Sequence, residues 1–222
     1  MPYPRLSLLL LLWPFASPSA SAQVVINELS AANWSTINLG GEFEDWVELY
    51  NGGAASADLS GWFLSDDPSE PAKWSFPAGS SIGPNGRLVV ICSGKDAVIT
   101  GMLHTSFKLT QTKQEYVVLS NAAQSLVDQF WINRPTQKDH SWGRTTDGAA
   151  GWSIFLAPTP GAPNAAASSY YADKPTLSPM AGGYPGTVSV SITVPPGCSV
   201  RYTLDGEEPT AASTLYAGPF NV

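Results

Sequence analysis

Residues 46–53 read WVELYNGG. Val47 and Leu49 alternate with Trp46, Glu48 and Tyr50, and a period of two places those sets on opposite faces of a strand. Asn51-Gly52-Gly53 follows, residues that tolerate positive φ, so the strand ends in a turn. The same grammar recurs on both sides. VVINEL (24–29) comes before it, across a Gly/Asn-rich loop reaching about Gly41; GWFLS (61–65), WSF (74–76), RLVVIC (87–92), EYVVLS (115–120) and LVDQFWI (126–132) come after. DDPSEP closes the third of these strands, and Gly83-Pro84-Asn85-Gly86 turns into RLVVIC. Asn121-Ala122-Ala123-Gln124 is a connection of hairpin length. Seven or so short strands at even spacing, with no helical period, predict an all-β sandwich or barrel.

Composition agrees. The 222 residues include 8 Trp, 20 Gly and 19 Pro but only 13% charged residues, a balance of many corners and many aromatics. The formal net charge is −7, with no run of Lys or Arg, which argues against a nucleic-acid partner because phosphate contacts carry most of that affinity. Residues 1–22 have the form of an export leader: Arg5, the apolar run LSLLLLLWPFA (6–16), and a small-x-small site at Ala20-Ser21-Ala22. The run is too short to span a bilayer. Cleavage after Ala22 leaves a secreted chain starting at Gln23, of net charge −8 once Arg5 is gone, with no stable membrane span.

The chain changes character at PTPGAPN (158–164) and the small-residue stretch that follows, giving a first domain over 23–164 and a linker over 165–174. Beyond it TVSVSITV (187–194) and SVRYTL (199–204) alternate cleanly, Asp205-Gly206 turns, and PFNV has the look of another strand. A second β unit over 175–222 is expected to be small and marginal, and the natural protein is expected to continue past Val222. Cys92 ends an apolar run and reads as a core residue; Cys198 falls in the other unit, so a bridge between them is not expected.

INEL (26–29), DWVELYN (45–51), LSGWFLSDD (59–67), WSFPAG (74–79), RLVVICSG (87–94), HTSFKL (104–109), SWGR (141–144) and PTPGAPN follow one another in order. Through them the segment from Val24 to Asn164 resembles the lamin-tail domain in its bacterial secreted form. PTLSP (175–179), VRYTLDGEEPT (200–210) and LYAGPF (215–220) make the second unit similar to the front of the immunoglobulin-like C-terminal module of chitobiases and β-hexosaminidases. These resemblances imply an immunoglobulin-like β-sandwich followed by an incomplete second immunoglobulin-like module. They also imply an accessory, adhesive or spacing role, of the kind found ahead of a spore-coat protein H-type kinase-like domain or a hydrolase.

DHSWGR (139–144) puts an acid, a base and a hydroxyl side by side as Asp139, His140 and Ser141. In an extended segment Asp139 and Ser141 share a face and His140 turns away, whereas a triad needs the base in reach of both. No G-x-S-x-G elbow is present, and His104 is tied to no recognisable nucleophile. The stretch therefore reads as a loop leading into a strand, with Trp142 buried and His140 near the surface. No Cys/His cluster has zinc spacing, and the acidic loops GEFED (41–45) and SDDPSEP (65–71) lack the D-x-D-x-D-G calcium pattern. Glu28 and Glu48 lie within strands, either paired or solvated on an outer face. No catalytic, cofactor-binding or metal-ligating residue is expected. Trp34, Trp46, Trp62, Trp74, Trp131, Trp142 and Trp152 all fall in the first unit, as core or as platforms for sugar rings, with Trp34 and Trp46 the better surface candidates. The expected partner is an extracellular ligand, a polysaccharide or a cell-surface protein.

Overall fold

A computed structural model describes residues 24–164 and 171–222; the leader at 1–22 and most of the linker lie outside the described residues. The chain divides into two compact units at Ser168/Ser169. Among the described residues there is no helix, and hence none long and apolar enough to cross a membrane.

The first unit holds β1 (Val24–Ser30), β2 (Asp45–Asn51), β3 (Ala57–Asp58), β4 (Phe63–Ser65), β5 (Trp74–Ser75), β6 (Ser81–Ile82), β7 (Arg87–Cys92), β8 (Ala97–Ile99), β9 (Met102–His104), β10 (Tyr116–Ser120), β11 (Leu126–Trp131), β12 (Ser141–Arg144) and β13 (Trp152–Phe155). All seven expected strands are present. Six more are not legible as runs, because several are two or three residues long and are fixed by their partners rather than by their own pattern. A seven-stranded sheet has the order β13-β12-β1-β2-β7-β9-β8, and a four-stranded sheet the order β11-β10-β4-β5; β3 and β6 form a ribbon. Only β7–β9 pairs parallel. The expected hairpin connects β10 to β11, and the Gly83–Gly86 turn is closed by the Gly86 N–H on the Gly83 carbonyl at 2.9 Å.

The two sheets form an immunoglobulin-like β-sandwich. Its interior takes Ile26 and Leu29 from β1, Val47 and Leu49 from β2, Val90 from β7, and Val117 and Leu119 from β10, all buried. Phe130 reaches from the smaller sheet to Trp142 (5.6 Å between centroids) and Trp152 (4.0 Å) on the larger one. One expectation fails here. The alternation in WVELY suggested one wet face, yet Trp46 and Glu48 are as fully buried as Val47 and Leu49. β2 is central in its sheet, and the face away from the interior is covered by the chain's own return at Thr159–Asn164. Trp46 is therefore core, not a surface platform.

The second unit holds β14 (Thr176–Ser178), β15 (Ser189–Thr193), β16 (Arg201–Tyr202), β17 (Thr214–Leu215) and β18 (Phe220–Asn221). β14, β15 and β18 form one antiparallel sheet and β16–β17 a second. TVSVSITV and PFNV are strands as expected, while SVRYTL pairs over only two residues. Tyr202 stacks on Phe220 at 4.1 Å, and the Ile192 N–H donates to the Tyr216 hydroxyl at 3.0 Å.

Candidate recognition face

The acids inside the first unit come together first. Glu28 and Glu48 are register partners on β1 and β2, beside a bulge at Asn27, and both are fully buried. Glu28 accepts the Ser141 hydroxyl at 2.5 Å, the Thr159 hydroxyl at 2.7 Å and the Thr159 N–H at 3.0 Å. Glu48 accepts the Asn27 amide at 2.9 Å and the Gly161 N–H at 2.6 Å, with the Arg87 guanidinium 3.9 Å away. Asp147 joins the cluster through Arg87, the Asn27 amide and the Asn164 N–H. Burial raises the pKa of Glu28, and burial carries that of Glu48 up to about 7 in spite of its hydrogen bonds. Of the two arrangements open in the sequence, the glutamates are paired. Their oxygens are taken up by Ser141, Asn27 and the TPGAPN return, which they latch down, and both side chains are closed off from solvent.

DHSWGR resolves residue by residue. Asp139 sits at positive φ (59°) in a turn, and its Oδ1 accepts the N–H groups of Trp34 (2.8 Å) and Ser35 (2.7 Å). Desolvation opposes its charge, but those bonds outweigh it and hold its pKa below the ordinary value. Ser141 is buried and donates to Glu28; Trp142 is core, as expected. Gly143 lies flat beneath Phe155, where a Cβ would meet ring carbons at 2.6 and 2.9 Å. Arg144 donates to the Ile26 carbonyl (2.6 Å), the Ala149 carbonyl and Asp128 (2.7 Å), with its guanidinium 5.0 Å from the Trp152 ring centroid. Asp128 also accepts the Ile26 N–H at the bulge (2.8 Å), so this clasp joins the two sheets. Acid and hydroxyl are thus spent on different partners, Asp139 on the Trp34 and Ser35 N–H groups and Ser141 on Glu28, and His140, between them, is half-buried.

A second hydroxyl–imidazole pair escaped the sequence reading. Ser93 Oγ lies 2.9 Å from His104 Nδ1, both residues buried. His104 Nε2 has no partner, and burial lowers the His104 pKa. In a triad the second ring nitrogen is bound to an acid and the hydroxyl faces open space; neither holds here. Nothing in the sequence pairs these residues, which meet because β9 lies beside β7.

The acidic loops are spent in similar ways. Glu42 pairs with Lys95, Glu44 with Lys108 at 3.0 Å, and Asp66 with Lys73 at 2.6 Å, while Asp67 caps its own turn through Ser69. Among the described residues no group of three or more His, Cys, Asp or Glu side chains is placed to hold a metal ion. Cys92 is buried in the core and burial pushes its thiol up; Cys198 is a free thiol in the second unit.

Among the large apolar side chains that the first unit exposes are Trp34, Phe43 and Trp131, beside the aliphatic Val98, Leu126, Val127 and Leu156. The 31–44, 105–115 and 132–140 connections are laced together at one end of the sandwich. Asp139 N–H donates to the Ala32 carbonyl, Thr136 N–H to Gln111, and Ile132 N–H to the Glu115 carbonyl. From this end Trp34 projects, 61% exposed, with Lys138 Nζ 4.6 Å from its ring centroid. Trp131, 45% exposed, closes β11 beside the same connections. Asn33 fixes the Trp34 loop from below, donating to the Ile37 and Glu44 carbonyls at 2.9 Å each. Trp34 is thus the surface tryptophan that the sequence pointed to, and Trp131 is one that it listed among seven without distinction; its place at the solvent end of an outermost strand is the signal that sets it apart.

Comparison with known families follows this geometry. Residues 17–134, just over half of the chain, match the family model of the Lamin Tail Domain, and residues 179–222 match that of the chitobiase/beta-hexosaminidase C-terminal domain. Both families are non-catalytic immunoglobulin-like modules. No curated protein matches the chain. SWGR and PTPGAPN lie beyond the matched residues but in the same compact unit, where β12 extends the large sheet and TPGAPN covers it. The chain belongs to the lamin tail domain family.

Proposed function

We propose that this chain is a secreted, non-catalytic binding and spacing region, the N-terminal accessory part of a larger extracellular or cell-surface protein. The observation that carries the reading is the contrast within one unit. The paired acids and the two serine-centred pairs are buried and closed by internal bonds, while the loop end offers an exposed indole, Trp34, held by Asp139 and Lys138. Energy for contact with a partner comes from rigid aromatic anchors of this kind. The export-leader form of residues 1–22 supports the secreted part of the reading.

A carbohydrate-binding module attached to an extracellular hydrolase or a spore-coat protein H-type kinase-like domain is the second reading. It is favoured by tryptophans that are exposed yet fixed, since an amphipathic ring set in advance suits a sugar face. The test is retention of the purified chain on a glycan array and on intact cell-surface material. Wild type is expected to be retained, and Trp34→Ala to be retained less at equal folded fraction. No retention on either surface would remove the binding reading.

A further inference from the structure

We propose that Trp131, backed by Tyr116, is the principal stacking plane for a neutral β-1,4-linked polysaccharide, with Trp34 as a second plane; this rests on the binding reading above. Tyr116 and Trp131 are register partners on β10 and β11. Their rings lie 11° from parallel with centroids 6.0 Å apart, an offset stack. Tyr116 therefore sets the orientation of an indole that is 45% exposed, and little conformational freedom remains to be lost when a ligand arrives.

The surroundings suit a sugar better than a protein. A pyranose with equatorial substituents presents a flat C–H face ringed by hydroxyls. It needs an aromatic plane with hydrogen-bonding groups at its rim, and it needs no charge. Gln129, two residues before Trp131 and so on the same face of β11, and Asn133 just after it are both exposed amides. The exposed apolar residues Leu126 and Val127 stand at the opposite end of β11. They are separated from the indole by Gln129 and by Asp128, which is committed to Arg144. The net charge of −8 expected for the secreted chain works against an anionic polysaccharide at long range, with Lys138 at the Trp34 ring the local exception.

Lys138, which lies over the Trp34 ring, follows Trp131 by seven positions, and seven residues of chain span at most about 25 Å. Both indoles thus belong to one end of the sandwich, within the span of an extended oligomer. A β-1,4 chain, which runs nearly straight, suits two such separated planes better than an α-1,4 chain, which coils.

The test is calorimetric titration of the whole chain with cellohexaose, with chitohexaose and with maltohexaose. Wild type is expected to bind at least one β-1,4 hexaose about tenfold more tightly than maltohexaose. Trp131→Ala is expected to weaken that binding by about tenfold or more, the scale of losing an aromatic anchor. Tyr116→Leu, which leaves the indole in place but frees it, is expected to weaken binding by a smaller factor. Near-UV circular dichroism checks that each variant is folded, and Trp131→Leu, which fills the place with an aliphatic side chain and no ring, replaces Trp131→Ala if that variant fails to fold. Equal binding of β-1,4 hexaoses by wild type and the Trp131 variant would overturn the proposal. So would the absence of any β-1,4 binding, or Trp131-dependent capture of a surface protein in place of a glycan. Loss of glycan array retention by Trp34→Ala together with full retention of the Trp131 variant overturns this platform and leaves the binding reading standing. No retention of wild type on any glycan or cell surface overturns both.

Discussion

Gly143 has no room for a side chain. A Cβ there would meet Phe155 ring carbons at 2.6 and 2.9 Å and Glu28 Cγ at 3.3 Å, and Phe155 is itself fully buried. Gly143→Ala is therefore expected to destabilise the first unit by about 1–3 kcal/mol, the usual cost of overpacking, read as a lower urea midpoint at an unchanged slope. An unchanged midpoint would mean that Phe155 moves aside freely. Its neighbours are equally specific, since Ser141 serves Glu28 and Arg144 joins β1, β11 and β13. That the DHSWGR stretch leads into a strand with Trp142 buried was legible in the sequence. Its partners were not, because Glu28 lies 113 positions away. The Ser93–His104 pair was hidden for a related reason: the parallel β7–β9 pairing that brings those residues together leaves no local pattern.

At the level of elements, the strands of length five or more were readable from their period, as were the short β4, β5 and β18 from their apolar and aromatic residues, whereas β3, β6, β8 and β9 were not. The clearest misreading is β2. Alternation assigns one face to the core, but it cannot report that a segment more than a hundred residues later covers the other face. The polar residues set in apolar strands, Asn27, Glu28 and Glu48, were the available clue that something polar lay over them. Covering has a consequence in pH. Burial raises Glu28, and carries Glu48 to about 7 from 4.5 and Asp45 to about 7 from 3.8. An acid whose folded pKa is raised binds its proton more tightly when folded. Its contribution is thus fully present below the unfolded pKa and is lost as pH rises through the folded one. Asp147, whose pKa is lowered chiefly by Arg87 against desolvation, acts in the opposite sense and loses its contribution only below about pH 4. The melting temperature of the first unit is expected to fall from pH 5 to pH 8, and Glu48→Gln to flatten that fall. A melting temperature that rises over this interval would contradict the assignment.

Across the whole molecule, the two units differ in how much they bury. The first has a core drawn from two sheets; in the second, Ile192 is the one buried hydrophobic residue among the described residues, while Leu177, Met180, Leu204 and Leu215 are exposed. A small sheet with so little apolar burial is marginal. Denaturation is expected to occur in two steps, with Tyr202 and Tyr216 of the second unit reporting the earlier and the seven tryptophans of the first unit the later. One coincident transition by both signals would refute the separation. Composition pointed rightly to an all-β fold and gave no hint of which tryptophans are exposed, because exposure depends on the outermost position of β11 and on the Asp139-pinned loop. The central claim is that this molecule acts by contact through its aromatic loop end and not by turnover at its buried acids and hydroxyls. Its most direct test is equilibrium retention of the wild-type chain and of the Trp34→Ala/Trp131→Ala double variant on insoluble β-1,4 polysaccharide, compared at equal folded fraction. Retention of wild type with loss in the double variant is the predicted result, and equal retention of the two would contradict it.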